Sequence, residues 1–452
     1  MLRALPVEAW GALGWILDTF MLTAEFPPSF LHGHIYPIPK KGAASVADAR
    51  PITLLEVTLK CMTHRVQAHL QQYLEHTQLL STHQFGFRKG RGCPQAIAVL
   101  IGAIEDAKAR QRELHVVLVD IRKAFDSVET WSLRRAYEAA GLAHDLIKFL
   151  SAMDGTGTAS CITPSGLSQP RPVERGVRQG EVLSPTKFIL WLNMWLQEVQ
   201  DMEGYTMSNG VRVHIVAYAD DIAIIGGSRE QVQALLRSLS KFLCDHGVAF
   251  NPDKTHYVTT AISSAPVSIE VFNNETRAAD TVLLAARPPS FQFRYLGIEL
   301  TLNQDWERCA TDLNNKILGL IALLHRKQLT FGHMAAVADS VIRGRLAYYA
   351  QSAQIPRSMI AEWDAKLAAL YRKTASLPRS ALPHPFARLA WACRLRPFYR
   401  RNQSPAMAST VSWTRRQRAQ LCAVDGRRKA GASTATRRGA SRRTGCLPLV
   451  DH

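Results

Sequence analysis

Two adjacent carboxylates, Asp220 and Asp221, stand between the apolar, β-prone segments 213–219 and 222–225. The pattern predicts a hairpin with the acids at its turn. Neighbouring charges in apolar surroundings repel and resist burial, so a compensating charge is needed. A divalent cation would supply it. Asp120 ends a second apolar run, 114–119. Two strand ends that bring Asp120 to Asp220 would form an all-oxygen site suited to Mg²⁺. Two such ions about 3.5–4 Å apart can clamp an in-line phosphoryl displacement. A lone Asp-Asp pair is more often a solvated turn, so the surrounding chain has to decide.

The elements that would carry these acids can be read from periodicity. Strands are predicted at 115–121, 213–218 and 222–226, with helices at 127–140 and 186–200 beside them. Apolar residues at helical spacing predict helices at about 57–75 and 93–112, and another over residues 228–247 that stops at Gly247. Asp126-Ser127-Val128-Glu129 has the form of a helix N-terminal capping box. Trp10, Leu13, Ile16 and Leu17 predict an N-terminal helix. Residues 260–285 read as a polar, irregular insertion. From about 305 to 377 the chain reads as helical, until Pro378, Pro383 and Pro385 break it.

Around the acids lies an ordered series of blocks: Ile38-Pro39-Lys40-Lys41-Gly42, Arg50-Pro51-Ile52-Thr53-Leu54-Leu55 and Gln84-Phe85-Gly86-Phe87-Arg88-Lys89-Gly90-Arg91. Asp120-Ile121-Arg122-Lys123-Ala124-Phe125-Asp126 and Gly176-Val177-Arg178-Gln179-Gly180-Glu181-Val182-Leu183-Ser184-Pro185 follow. Tyr218-Ala219-Asp220-Asp221, Asn251-Pro252-Asp253-Lys254-Thr255 and Tyr295-Leu296-Gly297 complete it. From Ile35 to about Leu300 this order resembles the reverse transcriptase domain of non-LTR (LINE-type) retrotransposons. Each block is weak alone; the ordered set is specific. Glu181-Val182 departs from the Asp-Pro usual there. The chain also lacks the endonuclease domain and zinc knuckle common in intact elements, which reads as a truncated copy.

The resemblance implies an α+β right-hand polymerase: N-terminal helix and fingers over 1–115, palm over 116–300 with 141–175 returning to the fingers, helical thumb over 301–390, and a basic tail over 391–452. It implies RNA-directed DNA polymerisation from deoxynucleoside triphosphates on an RNA template and a DNA primer, with two Mg²⁺ ions (or Mn²⁺). Asp120 and Asp220 would carry the metals, with help from the Ile121 carbonyl. Asp221, pointed the other way by strand alternation, would support them electrostatically. Phe125 would lie under the sugar and exclude a 2′-hydroxyl; as a residue alone it is equally a core aromatic. Gln179 and Gly180 would meet the template or nascent pair, or simply form a turn. Arg50 and Lys40 would contact the nucleotide; Arg88, Ser184, Pro185, Tyr295, Leu296 and Gly297 the template and primer. Lys254 would protonate pyrophosphate, or sit on a surface turn. A group II intron or retron-type enzyme, and a decayed nucleic-acid-binding relic, are the alternatives.

Composition agrees with a polyanionic partner. The 452-residue chain has a formal net charge of +18. From Arg394 onward 14 Lys and Arg face 2 acids, so +12 of that charge lies in the last 59 residues. That stretch has little apolar periodicity and reads as disordered, a non-specific nucleic-acid grip, an import signal or translated debris. The eight cysteines are scattered without zinc-like spacing, which suits reduced thiols. No apolar run is long enough to span a membrane, and 2–26 carries acids and no clear cleavage site. An intracellular location follows, nuclear or cytoplasmic, with the Arg-rich tail favouring the nucleus.

Overall fold

The computed structural model describes residues 6–39, 49–273, 276–327 and 329–378. Lys40 and the Arg-rich tail, both singled out above, lie outside the described residues.

At the centre is a five-stranded sheet in the order Ala286–Arg287, His256–Thr259, His115–Val119, Asp221–Gly226, Ile215–Tyr218. His115–Val119 is its middle strand, antiparallel to both neighbours. All five of its residues are buried, because helices cover both faces of the sheet. Val117 and Val119 join a core that includes Trp191, Trp195, Leu239 and Phe242, from the helices Ser184–Glu198 and Arg229–Asp245. Val116 and Leu118 face a second core containing Leu100 and Ile104 of the helix Cys93–Ala109 and Leu313 and Ile317 of Trp306–Arg326. A strand buried on both faces reads as an unbroken apolar run, as this one does.

A separate sheet holds the N-terminal blocks. His32–Ile38 pairs antiparallel with Arg50–Leu54 and parallel with Thr158–Thr163. Within 141–175, Thr158–Thr163 and Arg171–Pro172 join this sheet. The N-terminal helix, Val7–Thr23, lies against the helix His144–Gly155, with Phe26 and Phe149 in ring contact at 5.6 Å. The C-terminal region is helical from Trp306 to Thr374, including a π-helical stretch at Ala338–Arg343. No helix among the described residues is long and apolar enough to cross a membrane.

Two expectations fail. Residues 260–285 are not irregular: Val267–Phe272 and Ala279–Leu284 form a hairpin in which Val267 and Ile269 are buried against the core. Only three residues of the first strand alternate inward, too few to stand out. The capping box does not form either. A short helix, Ala124–Ser127, ends before the next one starts at Thr130, whose N-cap is Glu129 with no side-chain cap. Asp126 instead accepts hydrogen bonds from Gln179 Nε2 at 3.1 and 3.3 Å.

Candidate active site

The acidic hairpin is built as the sequence suggests, with one refinement. Tyr218 pairs with Asp221, so the loop is two residues, Ala219 and Asp220, and Asp221 already begins the strand. Ala219 has φ 53°, the left-handed region that such tight loops require and that residues with a Cβ disfavour. Ile222 stands opposite Val119, and the next pair outward in that register is Asp221 and Asp120. Strand alternation therefore does not turn Asp221 away from Asp120. The alternation argument misled because Asp220 belongs to the turn, not to the strand.

Asp120 is held from behind by 251–255. Its carboxylate accepts from Asn251 Nδ2 at 2.8 Å, its carbonyl accepts from Asn251 N at 2.8 Å, and its amide donates to Thr255 Oγ1 at 3.2 Å. Ile121 stands opposite Phe250, between the Asn251-to-Asp120 bond and an Arg122-to-Ala249 bond of 2.9 Å. In such a wide antiparallel pair the residue's own peptide groups stay out of that ladder. The Ile121 carbonyl thus points away from the 249–251 segment.

The three acids feel one another. Burial first, and the charge of Asp120 as well, push Asp220 above the usual carboxylate range. Asp221 is pushed up to about 6 by its recess, then by Asp220 and Asp120, with Arg294 partly offsetting. Asp221 is open to solvent at the mouth of that recess, where screening weakens such effects. A cluster of all-oxygen, mutually repelling donors fits a hard divalent cation, whose charge would relieve the repulsion. Among the described residues no three His, Cys, Asp or Glu side chains converge tightly enough to hold a metal unaided.

Other expected residues divide into those left at least partly exposed and those turned inward. Phe125 follows Asp120 and is half-buried, one face stacked on Phe188 at 4.4 Å. Arg50 is exposed at the start of its strand, and Lys254 is exposed on the turn that holds Asp120. Tyr295 is buried and donates to the Val216 carbonyl at 3.1 Å, joining its hairpin to the acidic one. Leu296 and Gly297 form that hairpin's turn, with φ of 47° and 85°. The Tyr348 hydroxyl donates to the Leu296 carbonyl and that of Tyr349 to Gly297 at 3.3 Å.

Arg88 departs from expectation. It is 9 % exposed, forks onto Glu75 at 2.9 and 2.8 Å, and donates to the Ser81 carbonyl at 2.7 Å. Its guanidinium braces the protein interior rather than offering itself to phosphate. Ser184 is likewise buried, donating to the Arg178 carbonyl at 2.8 Å, while Pro185 opens the helix Ser184–Glu198. Gly180, at φ 115°, does permit a close approach, but by the protein itself: a Cβ there would stand 2.4 Å from the Thr53 carbonyl oxygen. Gln179 has its side-chain amide on Asp126 and its backbone carbonyl on Thr53 N at 2.6 Å, so it ties the N-terminal sheet to the short helix Ala124–Ser127.

Three features escaped the sequence reading. Asn251 orients Asp120; the Asn-Pro turn was the available signal. Gln84 bonds the Asp220 turn. Glu181, the departure from the usual Asp, reaches Lys187 Nζ at 2.8 Å, which also meets Asp154 at 2.7 Å. All three side chains are buried, and Tyr137 donates to Asp154 at 2.7 Å. Burial alone would lower the Lys187 pKa, but the two carboxylates outweigh it and hold the ammonium charged.

An α+β chain with two five-stranded sheets, three acids at one end of the central sheet and a helical C-terminal region has the architecture of a right-hand polymerase. The chain belongs to the reverse transcriptase (RNA-dependent DNA polymerase) family, whose profile matches residues 38–300. It is 26 % identical over 285 residues to a Pol polyprotein from the type-1 retrotransposable element R2 of Nasonia vitripennis, covering 63 % of this chain and 27 % of that one. It is 24 % identical over 369 residues to the RNA-directed DNA polymerase from mobile element jockey of Drosophila funebris, covering 77 % of this chain and 38 % of that one. The chain thus matches well under half the length of either relative. Apo telomerase from Candida tropicalis, truncated from its C-terminal domain, superposes with a TM-score of 0.42 at 12 % identity, over 65 % of this chain and 59 % of that one, too loose a fit to bear on function.

Proposed function

We propose that this chain is an RNA-directed DNA polymerase that adds deoxynucleotides to a primer 3′-hydroxyl on an RNA template. The observation that carries it is the placing of Asp120, Asp220 and Asp221 at one end of the central sheet, with Asp220 raised in pKa by burial and by Asp120, and Asp221 by burial, Asp220 and Asp120. Asp120, Asp220 and the Ile121 carbonyl would hold two Mg²⁺ ions, with Asp221 adding charge. When bound, these ions would lower the pKa of the primer hydroxyl and stabilise the leaving pyrophosphate. Asn251 keeps the Asp120 carboxylate aimed at the cleft. Phe125, backed by Phe188, presents a fixed surface under the sugar and leaves no room for a 2′-hydroxyl. Arg50 would grip phosphate from the N-terminal sheet, and Lys254 would donate a proton to pyrophosphate. In this reading residues 1–115 are the fingers, 116–300 the palm and 301–390 the thumb.

The test is primer extension by the purified chain on a poly-rA template with oligo-dT and dTTP in Mg²⁺. Extension by the wild type and its loss in Asp220→Asn at unchanged melting temperature are expected. No extension by the wild type, or normal rates in Asp220→Asn, would overturn the proposal.

A further inference from the structure

We infer that Gln84 is a positioning residue for Asp220, acting through the backbone of the turn that presents it. This inference rests on the polymerase reading for its consequence, and on geometry for its existence. Residues 83–85 run along the outer edge of the acidic hairpin as an added strand: Phe85 N donates to the Ala217 carbonyl at 2.8 Å, and Ala217 N to the His83 carbonyl at 2.9 Å. The Gln84 side chain then reaches one step further. Its Oε1 accepts from Ala219 N at 3.0 Å and from Gly86 N at 2.8 Å.

The residue thus held is the strained one. Ala219 takes φ 53° immediately before Asp220. A residue with a Cβ keeps such a conformation only where its surroundings over-determine it. Gln84 is fully buried, so no water competes for the bond. Gly86 completes the brace, because a Cβ there would lie 2.7 Å from Ala219 N.

The chemistry of the amide singles out the oxygen. Two N–H donors point at one atom, so the oxygen must face them and the NH₂ must face away. Nε2 has no partner there. An unpartnered buried amide nitrogen is unfavourable, and the site retains it while using the acceptor twice. Asp220 needs this help more than Asp120 does, since Asp120 is fastened directly by Asn251. One acid is held by its carboxylate and the other by its turn.

The experiment compares wild type, Gln84→Met, Ala219→Gly and the double variant Gln84→Met/Ala219→Gly, in the full chain. Methionine keeps the length and apolar stem but removes the acceptor. Glycine at 219 adopts the left-handed turn without a brace. Gln84→Met should lower kcat for dTTP incorporation at least tenfold with KM changed less than twofold. Adding Ala219→Gly should restore kcat to within about threefold of wild type. Independently of activity, hydrogen exchange at the Ala219 amide should speed up at least tenfold in Gln84→Met without metal or substrate. A kcat within twofold of wild type in Gln84→Met, no rescue by Ala219→Gly, or unchanged exchange would each overturn the inference. If Gln84→Met does not fold, Gln84→Asn, one methylene too short to reach, is judged by the same criteria. If the wild-type chain extends no primer, the polymerase reading falls, and amide exchange alone judges the brace.

Discussion

Replacing Lys187 by methionine should be among the most damaging single changes outside the acidic cluster, and its cost should depend on pH. Lys187 Nζ lies 2.7 Å from Asp154 Oδ1 and 2.8 Å from Glu181 Oε1, with the three side chains 1 %, 6 % and 5 % exposed. Removing the cation leaves two carboxylates buried together. Breaking such a pair costs roughly 3–5 kcal/mol. The alternative is for a carboxylate to take up a proton, which bounds the cost: from an ordinary pKa near 4, neutralisation at pH 7 costs about 4 kcal/mol per acid. At pH 5 the same step costs about 1.4 kcal/mol. Burial already pushes the Asp154 pKa up, as does Glu181, while Lys187 pulls it back, so Asp154 is the acid that would take the proton. The sign follows from that. In the variant Asp154 keeps its raised folded pKa without Lys187 to pull it back, so the destabilisation is small near pH 4 and grows as pH rises. Urea unfolding of wild type and Lys187→Met at pH 7 and pH 5 should therefore give a gap of about 4 kcal/mol that shrinks below about 2 kcal/mol. Glu181→Gln, which leaves a one-to-one pair, should cost well under half as much. A gap below about 1 kcal/mol at pH 7, or one equal at both pH values, would refute the reasoning.

Three further outcomes are expected. Phe125→Val should raise ribonucleotide relative to deoxynucleotide incorporation, because the smaller side chain vacates space for a 2′-hydroxyl; an unchanged ratio in an active variant counts against the sugar gate. His83 and His214 are in ring contact at 4.2 Å and pushed down to about 3 and about 4, first by burial. Their folded pKa values lie below 6.5, so their contribution is intact at neutral pH and lost as pH falls below about 6.5; His214 alone should account for about 2 kcal/mol by pH 5, and a His214→Gln chain with the same acid profile as wild type would contradict this. Deleting residues 394–452, with their 14 basic residues, should flatten the salt dependence of single-strand binding by about 4 in log–log slope if roughly six of them contact phosphate; equal slopes with and without the tail would remove it from template binding.

The sequence by itself determined the framework. Four consecutive apolar residues before Asp120 and two apolar runs around Asp220-Asp221 could only become buried strands ending in acids, because periodicity and turn chemistry are local properties. The helices from Val57, Cys93 and Arg229 followed from the same local logic, and the order of the blocks identified the family. What only the tertiary structure decided was the partner of each polar side chain. Arg88 looked like a phosphate ligand until Glu75 and three carbonyls surrounded it. Asp126 looked like a helix cap until Gln179, 53 residues away, took its carboxylate. Glu181 was only a departure from the usual Asp until Lys187, itself paired with Asp154, met it in the core. Gln84 gave no signal, since its two donors come from a turn that is 135 residues distant and from its own loop. Apolar burial is non-directional and shows in a one-dimensional pattern. A hydrogen bond requires a particular atom at a particular place, and only the folded chain brings the two ends together.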